Sequence, residues 1–443
     1  MFCLNLHCKQ DNTSTDSQIE TQAESTQYIE KSSILTTFTK DEYIDDLNQL
    51  INVLNENHPR LYEFITKDKF DALVEEKIAL INDNFKVGEF TWLCRSLISE
   101  IGCGHTTVPT IGMNYFLPDS LLFPVKVNYI DDKLFVLNPL KNEELVSIGD
   151  EIISINRVNV KEIKEDMYKH VSSDACINSL KMEYVNDGFM DYAAFYFKFT
   201  NKYEIEFRKD NKIKTITLNQ LHDYNEEKAI EGKCSNNLCF EIDKGIAIIT
   251  IRSFSYYEEN FPTFKTFIDS CFNEIKSKQP QNLIIDLRDN GGGDPYCASY
   301  LLQHIADKPF QYYKTGTYSY DDLEENIFPH ENRFSGKPII LINGRCFSTT
   351  GHLCALIKAN NFGIFVGKET GATFICNASV RPFVLTNTQV TAYIATKTYE
   401  VAVSTLPKDK GIIPQHEPRG NISDLLNDKD VDLEFTFNLI LNE

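Results

Sequence analysis

The stretch KPIILINGRCFSTTGHLCALIKAN, residues 337–360, decides the fold, because an apolar run meets a helical pattern across a short turn. The run IILI is typical of a buried strand, and HLCALIKA is apolar along one helical face. Ser348 lies in the turn between them, where the start of a helix favours developing negative charge. A serine at such a place also caps helices, so this segment alone favours capping over chemistry.

Strand-like and helix-like segments alternate on both sides of this stretch. They are GIAIITI (245–251), FPTFKTFIDSCFNEIKS (261–277), NLIIDLRDNGGGD (282–294) and FGIFVGKETG (362–371). Such alternation is typical of a largely parallel sheet, whose ligands bind beyond the carboxyl ends of its strands. We therefore predict an α/β domain over residues 236–443, with two glycine turns and Ser348 at one edge of its sheet.

The chain before this domain divides into three parts. Residues 1–35 are polar and are predicted to be disordered. Residues 36–110 repeat apolar residues at helical spacing and are predicted to form a helical domain. Residues 111–225 alternate like strands, with turns at Asp131-Asp132 and Asp210-Asn211, and are predicted to be a β-rich module with short helices.

The composition limits the classes of molecule that the protein is expected to bind. The 443 residues carry a formal net charge of −20. Phosphate binding needs clustered Lys and Arg, so nucleic acid is not an expected partner. The 12 cysteines form no paired CxxC pattern, so we predict no metal site. Cys234 and Cys239 flank SNNL and could form a local disulfide in an oxidising compartment.

Two interpretations of the N-terminus stay open. The apolar MFCLNLHC is followed by a long polar run. It could be the tail of a truncated lipoprotein signal, with Cys8 as the lipidated residue, which implies a periplasmic or membrane-anchored protein. It could instead be a frayed terminus, which is compatible with the cytoplasm. Mass spectrometry of Cys8 in the native protein distinguishes the two.

Two further fragments carry chemistry. Gly291, Gly292 and Gly293 follow a buried strand, so the backbone can approach a ligand and point N–H groups at it. These glycines suit an oxyanion hole or a plain tight turn, whereas a phosphate loop would need GxxxxGK[ST]. His105, in IGCGHTTV, could be a general base or a polar surface residue.

Read together, the fragments resemble the carboxyl-terminal processing (tail-specific) serine peptidases, a family that includes the tricorn core protease and the retinoid-binding repeats of photoreceptors. The resemblance rests on five phrases in order: CGHT (103–106), NLIIDLRDNGGGD, the Ser348 segment, FVGKETGA (365–372) and GIIPQHEP (411–418). It implies a ClpP/crotonase-like catalytic domain with a mixed, largely parallel sheet and flanking helices. The middle module, most clearly at IGDEIISINRVNV (148–160), resembles the family's PDZ-like domain.

The resemblance also implies a mechanism that needs no cofactor. One branch of the family activates its serine with a Lys, but Thr373 stands at the matching place here. The tricorn-like branch uses the histidine of the first phrase, which implies that His105 takes the proton of Ser348. The oxyanion would then be held by the N–H groups of Thr349 and Gly292, with Gly293 as a further donor.

The acid that orients His105 is less well marked. Lys408 occupies the place where the tricorn-like branch has a Glu, so we assign the role to its neighbour Asp409, with Glu369 and Glu400 as alternatives. The expected substrate is a polypeptide recognised by its C-terminus. Cys103 and Gln415 replace the Asp residues of the family's first and last phrases. These departures leave a second hypothesis open, namely a catalytically impaired member that binds peptides or apolar ligands.

Overall fold

The computed structural model describes residues 31–209, 212–224, 234, 237–317 and 320–442. Cys8, the rest of residues 1–30 and the predicted turn at Asp210-Asn211 lie outside these residues. Within them, no helix is both long and apolar enough to cross a membrane.

The first part of the chain is helical, as its periodicity predicts. Thr39 caps the first helix: its hydroxyl accepts from the N–H of Glu42, whose carboxylate accepts from the N–H of Thr39 in return. That helix ends at Asn57, with His58 as its C-cap, because Pro59 disfavours helical backbone at the residue before it. The elements are β1 (Ser32–Ser33), α1 (Lys40–Asn57), α2 (Lys67–Leu80), α3 (Val87–Ser99) and β2 (Tyr115–Phe116).

The middle part is a twisted antiparallel sheet covered by two helices. Its elements are β3 (Lys126–Ile130), β4 (Lys133–Asn138), β5 (Glu151–Ile155), β6 (Val158–Asn159), α4 (Val160–Tyr168), α5 (Asn178–Tyr196), β7 (Glu204–Lys209) and β8 (Lys212–Thr217). The strand order is β3-β4-β5-β7-β8, with β6 paired to β5. The prediction of short helices is wrong for α5, which has 19 residues, because its aromatic and apolar residues lack a clear helical stripe in the sequence.

The last part contains the predicted α/β domain. Its elements are β9 (Leu238–Asp243), β10 (Ile246–Ile251), α6 (Phe261–Lys278), β11 (Asn282–Asp286), α7 (Pro295–Gln303), β12 (Phe310–Gln311), β13 (Asn326–Ile327), β14 (Ile339–Ile342), α8 (Thr349–Asn360), β15 (Ile364–Gly367), β16 (Ile375–Ala378), β17 (Arg381–Val384), β18 (Thr391–Ile394), β19 (Lys397–Glu400), α9 (Ile422–Leu426) and α10 (Val431–Leu441). The central sheet has the order β15-β14-β11-β10-β9. Its strands are parallel except for β9, which pairs antiparallel with β10.

Helices cover both faces of this sheet. The helices α6, α7 and α8 bury one face in the largest apolar core of the described residues. On the other face, apolar residues of α10 pack against Ile284 and Leu341. Arg288 ties α10 to the end of β11, because its guanidinium pairs with Asp286 at 2.8 Å and with Asp430 at 2.7 Å. The carboxyl ends of β11 and β14 are thereby fixed side by side.

The core of the helical part also contains residues from beyond the predicted domain boundary at residue 110. The hairpin formed by β17 and β18 comes from the C-terminal half, yet its apolar residues belong to the core of the helical part. The fully buried Asp46 of α1 accepts hydrogen bonds from the N–H of Asn387 (2.9 Å) and from the N–H of Thr388 (2.7 Å) in the hairpin turn. The hairpin therefore joins the two ends of the chain, a contact that local sequence patterns cannot reveal.

Candidate active site

Ser348 stands in the turn between β14 and α8 with a left-handed backbone, at φ 55° and ψ −126°. Such a conformation is costly for a residue with a side chain and persists where the surroundings impose it, often at a functional site. The capping interpretation fails here, because the Ser348 side chain makes no capping hydrogen bond to α8. Its hydroxyl is instead turned toward His105.

The buried side chain of Asn290 holds the glycine turn against the Ser348 turn. Its Oδ1 accepts from the N–H of Gly292 (2.9 Å) and from the hydroxyl of Thr350 (2.8 Å). Its Nδ2 donates to the carbonyl of Ile251 in β10 (3.1 Å). Sequence analysis missed this role, although an Asn before glycines is a common turn-forming residue that hydrogen-bonds to the backbone two residues on.

The glycine turn lies directly against the serine. A Cβ built on Gly292 would stand 2.8 Å from Ser348 Cβ and 2.9 Å from the nitrogen of Thr349, and its φ is +100°. The Gly292 N–H, expected to face an oxyanion, instead donates to Asn290. The N–H groups of Gly293 and Thr349 donate no hydrogen bond to any described residue, so these two stay available as oxyanion donors.

His105 reaches Ser348 from the N-terminal part of the chain. Its Nε2 lies 3.1 Å from Ser348 Oγ. The segment that carries it is bound to β18, where the N–H of Thr107 donates to the carbonyl of Tyr393 (2.9 Å) and the reverse bond measures 2.8 Å. The imidazole also packs on the ring of Phe347, with centroids 4.5 Å apart. The structure thus brings together two residues 243 positions apart.

In the described part of the chain, no carboxylate hydrogen-bonds to the other ring nitrogen of His105. Its Nδ1 is buried and has no hydrogen-bond partner among the described residues. Asp409 does not fill the predicted role, because it is exposed. The alternatives are engaged elsewhere: Glu369 accepts from the N–H of Gly411 (3.0 Å), and Glu400 pairs with Lys314 (2.9 Å). Burial lowers the pKa of His105 from 6.5 to about 4, so the imidazole is neutral at pH 7.

A cluster of titratable side chains lies beside this pair, and sequence analysis assigned none of it to the site. Asp174 Oδ1 accepts from the N–H of Gly104 (2.9 Å), whereas its buried Oδ2 has no hydrogen-bond partner in the described ranges. Burial raises the pKa of Asp174 to about 7. Burial and the nearby Asp174 and Cys103 raise the pKa of Cys376, and a hydrogen bond with Ser348 lowers it by less. The sequence marks these residues only as loop and core positions.

His352 follows Ser348 by one helical turn. It is 1% exposed, and neither ring nitrogen has a hydrogen-bond partner within the residues that the structure describes. Burial and then the charge of His105 lower the pKa of His352 to about 3. It is therefore a neutral imidazole packed behind the serine.

A nucleophile at a strained strand-to-helix turn, a neutral histidine within hydrogen-bonding distance and two free N–H groups form a set suited to acyl transfer. Residues 245–417 match the sequence model of peptidase family S41. This part of the chain is therefore similar to the S41 peptidases. It is accordingly a serine-type peptidase, and the resemblance recognised in the sequence is confirmed. No curated protein sequence is similar enough to this chain to be matched.

Solved structures resemble this chain over most of its length. The mature CPAF complexed with lactacystin matches with a TM-score of 0.63 and 12% identity, covering 90% of this chain and 97% of its own. A second structure of mature CPAF matches with a TM-score of 0.60 and 13% identity, covering 87% of this chain and 94% of its own. At this identity the likeness establishes a shared fold of mixed sheets and helices.

We expect Gly292→Ala to abolish the reactivity of Ser348, because the added Cβ would collide with the serine and with the N–H of Thr349. The rate of labelling by a fluorophosphonate should fall at least about 100-fold, the loss typical of a missing oxyanion donor. Gly291→Ala is the matched control, since its Cβ would meet no atom within 4 Å. Equal labelling of the two variants would contradict the geometry.

The pH dependence of hydrolysis should reflect the buried imidazole. Only neutral His105 can accept a proton, and burial lowers its pKa to about 4. We therefore expect kcat/KM to hold as the pH falls through 6.5 and to be lost as it falls through about 4. Circular dichroism over the same range separates this loss from unfolding. An acidic limb centred near 6.5 would show that His105 is not the base or is not desolvated.

Proposed function

We propose that the protein is an endopeptidase that cleaves polypeptides through an acyl-enzyme on Ser348, with His105 as the general base. The observation that carries this proposal is the 3.1 Å separation between His105 Nε2 and Ser348 Oγ. That distance lies within the range required for direct proton transfer. The lowered pKa of His105 supports the same role, because it keeps the imidazole in its accepting form at neutral pH.

The proposed reaction has two halves. Ser348 Oγ attacks the scissile carbonyl while its proton passes to His105 Nε2, and the N–H groups of Gly293 and Thr349 stabilise the oxyanion. His105 then returns the proton to the leaving amine, and the C–N bond breaks to give the acyl-enzyme. In the second half water attacks the ester, His105 takes the water's proton, and Ser348 leaves as the protonated alcohol.

A binding protein on the same fold is the second candidate function. The observation that favours it is the buried Nδ1 of His105, which has no partner among the described residues. In serine peptidases of this kind a carboxylate normally holds that nitrogen, and the wrong tautomer costs about 10⁴ in kcat. A chain without that support could bind peptides or apolar ligands in the same cleft without turning them over.

We expect Ser348→Ala to abolish cleavage of an unfolded polypeptide such as casein, with the fold retained, because the acyl-enzyme cannot form. The measurement is the release of fluorescent fragments, paired with fluorophosphonate labelling of the wild-type chain. Ser335→Ala is the matched control, since Ser335 is exposed and remote in sequence from the turn. Cleavage that survives in Ser348→Ala would exclude the mechanism, and a folded wild-type chain that takes no label would favour the binding protein.

The finer proposal is that the middle module, residues 111–225, resembles a PDZ domain and selects substrates by their C-terminus. Its strand β8 supports this, because it lies at the end of the strand order and most of its residues are exposed. An extended peptide can add to such an edge through main-chain hydrogen bonds, and backbone N–H groups can hold its carboxylate.

Recognition of the C-terminus predicts a difference between matched peptides. A substrate with a free carboxylate should be cleaved with at least about 10-fold higher kcat/KM than its C-terminal amide, because a lost charge-assisted hydrogen bond is worth roughly 1.5–3 kcal/mol. Hydrolysis of the two peptides is followed by chromatography at equal concentration. Identical kcat/KM values would remove C-terminal recognition while leaving the peptidase assignment intact.

A further inference from the structure

Three side chains with metal-binding atoms converge on a place that the peptidase mechanism does not use. Asp269 belongs to α6, His304 is the C-cap residue of α7, and His330 lies between β13 and β14. One ligand atom from each lies within 4.8 Å of the others. The glycine turn adjoins the opposite end of α7, about 14 Å away along the helix axis. This cluster is therefore separate from the Ser348 site.

His304 has the tautomer and the environment of a metal ligand. Its side chain is fully buried, and its Nδ1 lies 2.9 Å from the carbonyl of Tyr300. A carbonyl only accepts hydrogen bonds, so Nδ1 carries the proton and Nε2 presents a lone pair. That Nε2 has no hydrogen-bond partner among the described residues and lies 3.9 Å from Asp269 Oδ1. Burial lowers the pKa of His304 to about 4, which keeps the ring neutral.

The backbone holds His330 beside His304. The N–H of His330 donates to the carbonyl of Gln303 (2.8 Å), and the N–H of Phe334 donates to the carbonyl of His304 (2.8 Å). The two imidazole rings are stacked, with centroids 4.1 Å apart and an angle of 22° between their planes. His330 Nδ1 accepts from the N–H of Asn332 (3.2 Å). Ligation through either ring nitrogen would give up that single long contact.

Asp269 supplies the negative charge. Burial by itself raises its pKa, but hydrogen bonds from Tyr300 and Lys265 outweigh this, so the pKa is lowered and the carboxylate is ionised. Lys265 Nζ donates to Oδ2 (3.0 Å), whereas Oδ1 faces His304 and accepts a hydrogen bond from the Tyr300 hydroxyl. An ionised carboxylate oxygen has two lone pairs, so Oδ1 can accept from Tyr300 and still bind a cation.

We propose that Asp269, His304 and His330 bind a divalent transition metal of the Zn²⁺ class. Two neutral imidazoles and one carboxylate form a donor set that suits zinc and disfavours Ca²⁺ and Mg²⁺, which take oxygen ligands. The Tyr300 carbonyl orients His304 as outer partners of ligating histidines do. Tetrahedral zinc needs ligand atoms about 3.3 Å apart, so the three side chains close by roughly 1 Å on binding. The metal would then join α6, α7 and the 328–334 loop.

The test uses the full-length, tag-free chain, stripped with a chelator and titrated with ZnCl₂ by calorimetry. We expect one equivalent to bind and to raise the midpoint of thermal unfolding. His330→Gln and Asp269→Asn should each weaken the affinity at least about 10-fold and remove the thermal shift, because each deletes a ligand. His222→Gln is the matched control, since it removes an exposed histidine elsewhere. Both ligand variants are checked for native circular dichroism.

Three outcomes would overturn the site. Zinc that binds His330→Gln as tightly as the wild type would place the metal elsewhere, for example at His105 and His352. A wild-type chain that binds no zinc at concentrations on the order of 100 μM would show that the cluster is not a metal site. Calcium binding of the same affinity would show that imidazole nitrogens are not the ligands. Tetrahedral cobalt absorption in the wild type, absent in His330→Gln, would support the assignment.

Discussion

The amide of the buried Asn290 is the contact on which the serine site depends. Its oxygen joins the glycine turn to the first turn of α8, and its nitrogen anchors both to β10. Ser348 is thus held at a positive φ between these two turns. Separating the turns would leave the buried amide of Asn290 without its hydrogen bonds, which costs about 1–3 kcal/mol for each unsatisfied group. The strain at the nucleophile is maintained by this network rather than by the local sequence.

The second constraint is the backbone pairing that holds His105 next to Ser348. The 103–107 segment pairs with β18, and β18 itself packs into the helical part through the hairpin whose turn Asp46 binds. The β17–β18 hairpin therefore extends from the α/β domain into the core of the N-terminal part. It also holds the segment that carries His105. A peptidase site assembled from both ends of a chain is positioned only when the whole chain has folded.

Burial gives the site its chemical character. The same desolvation lowers the pKa of His105 and His352, which keeps both imidazoles neutral near pH 7, and raises the pKa of Asp174 to about 7. A neutral base beside a hydroxyl is ready to accept a proton, but an imidazole without a carboxylate on Nδ1 has little help in bearing the resulting charge. The buried carboxyl of Asp174 lies beside the His105 segment, because its Oδ1 accepts from the N–H of Gly104, and its Oδ2 has no hydrogen-bond partner among the described residues.

The sequence by itself determined the alternation of strands and helices, the turn that exposes Ser348 and the glycine run beside it, because periodicity and turn chemistry are local properties. It also identified the His105 phrase through the order of five motifs. Only the tertiary structure decided that Asn290 takes the N–H of Gly292, that Asp409 points to solvent and that Asp269, His304 and His330 meet. Hydrogen-bond partners and burial depend on how distant segments pack, and the spacing of residues along a chain does not encode that packing in a readable form.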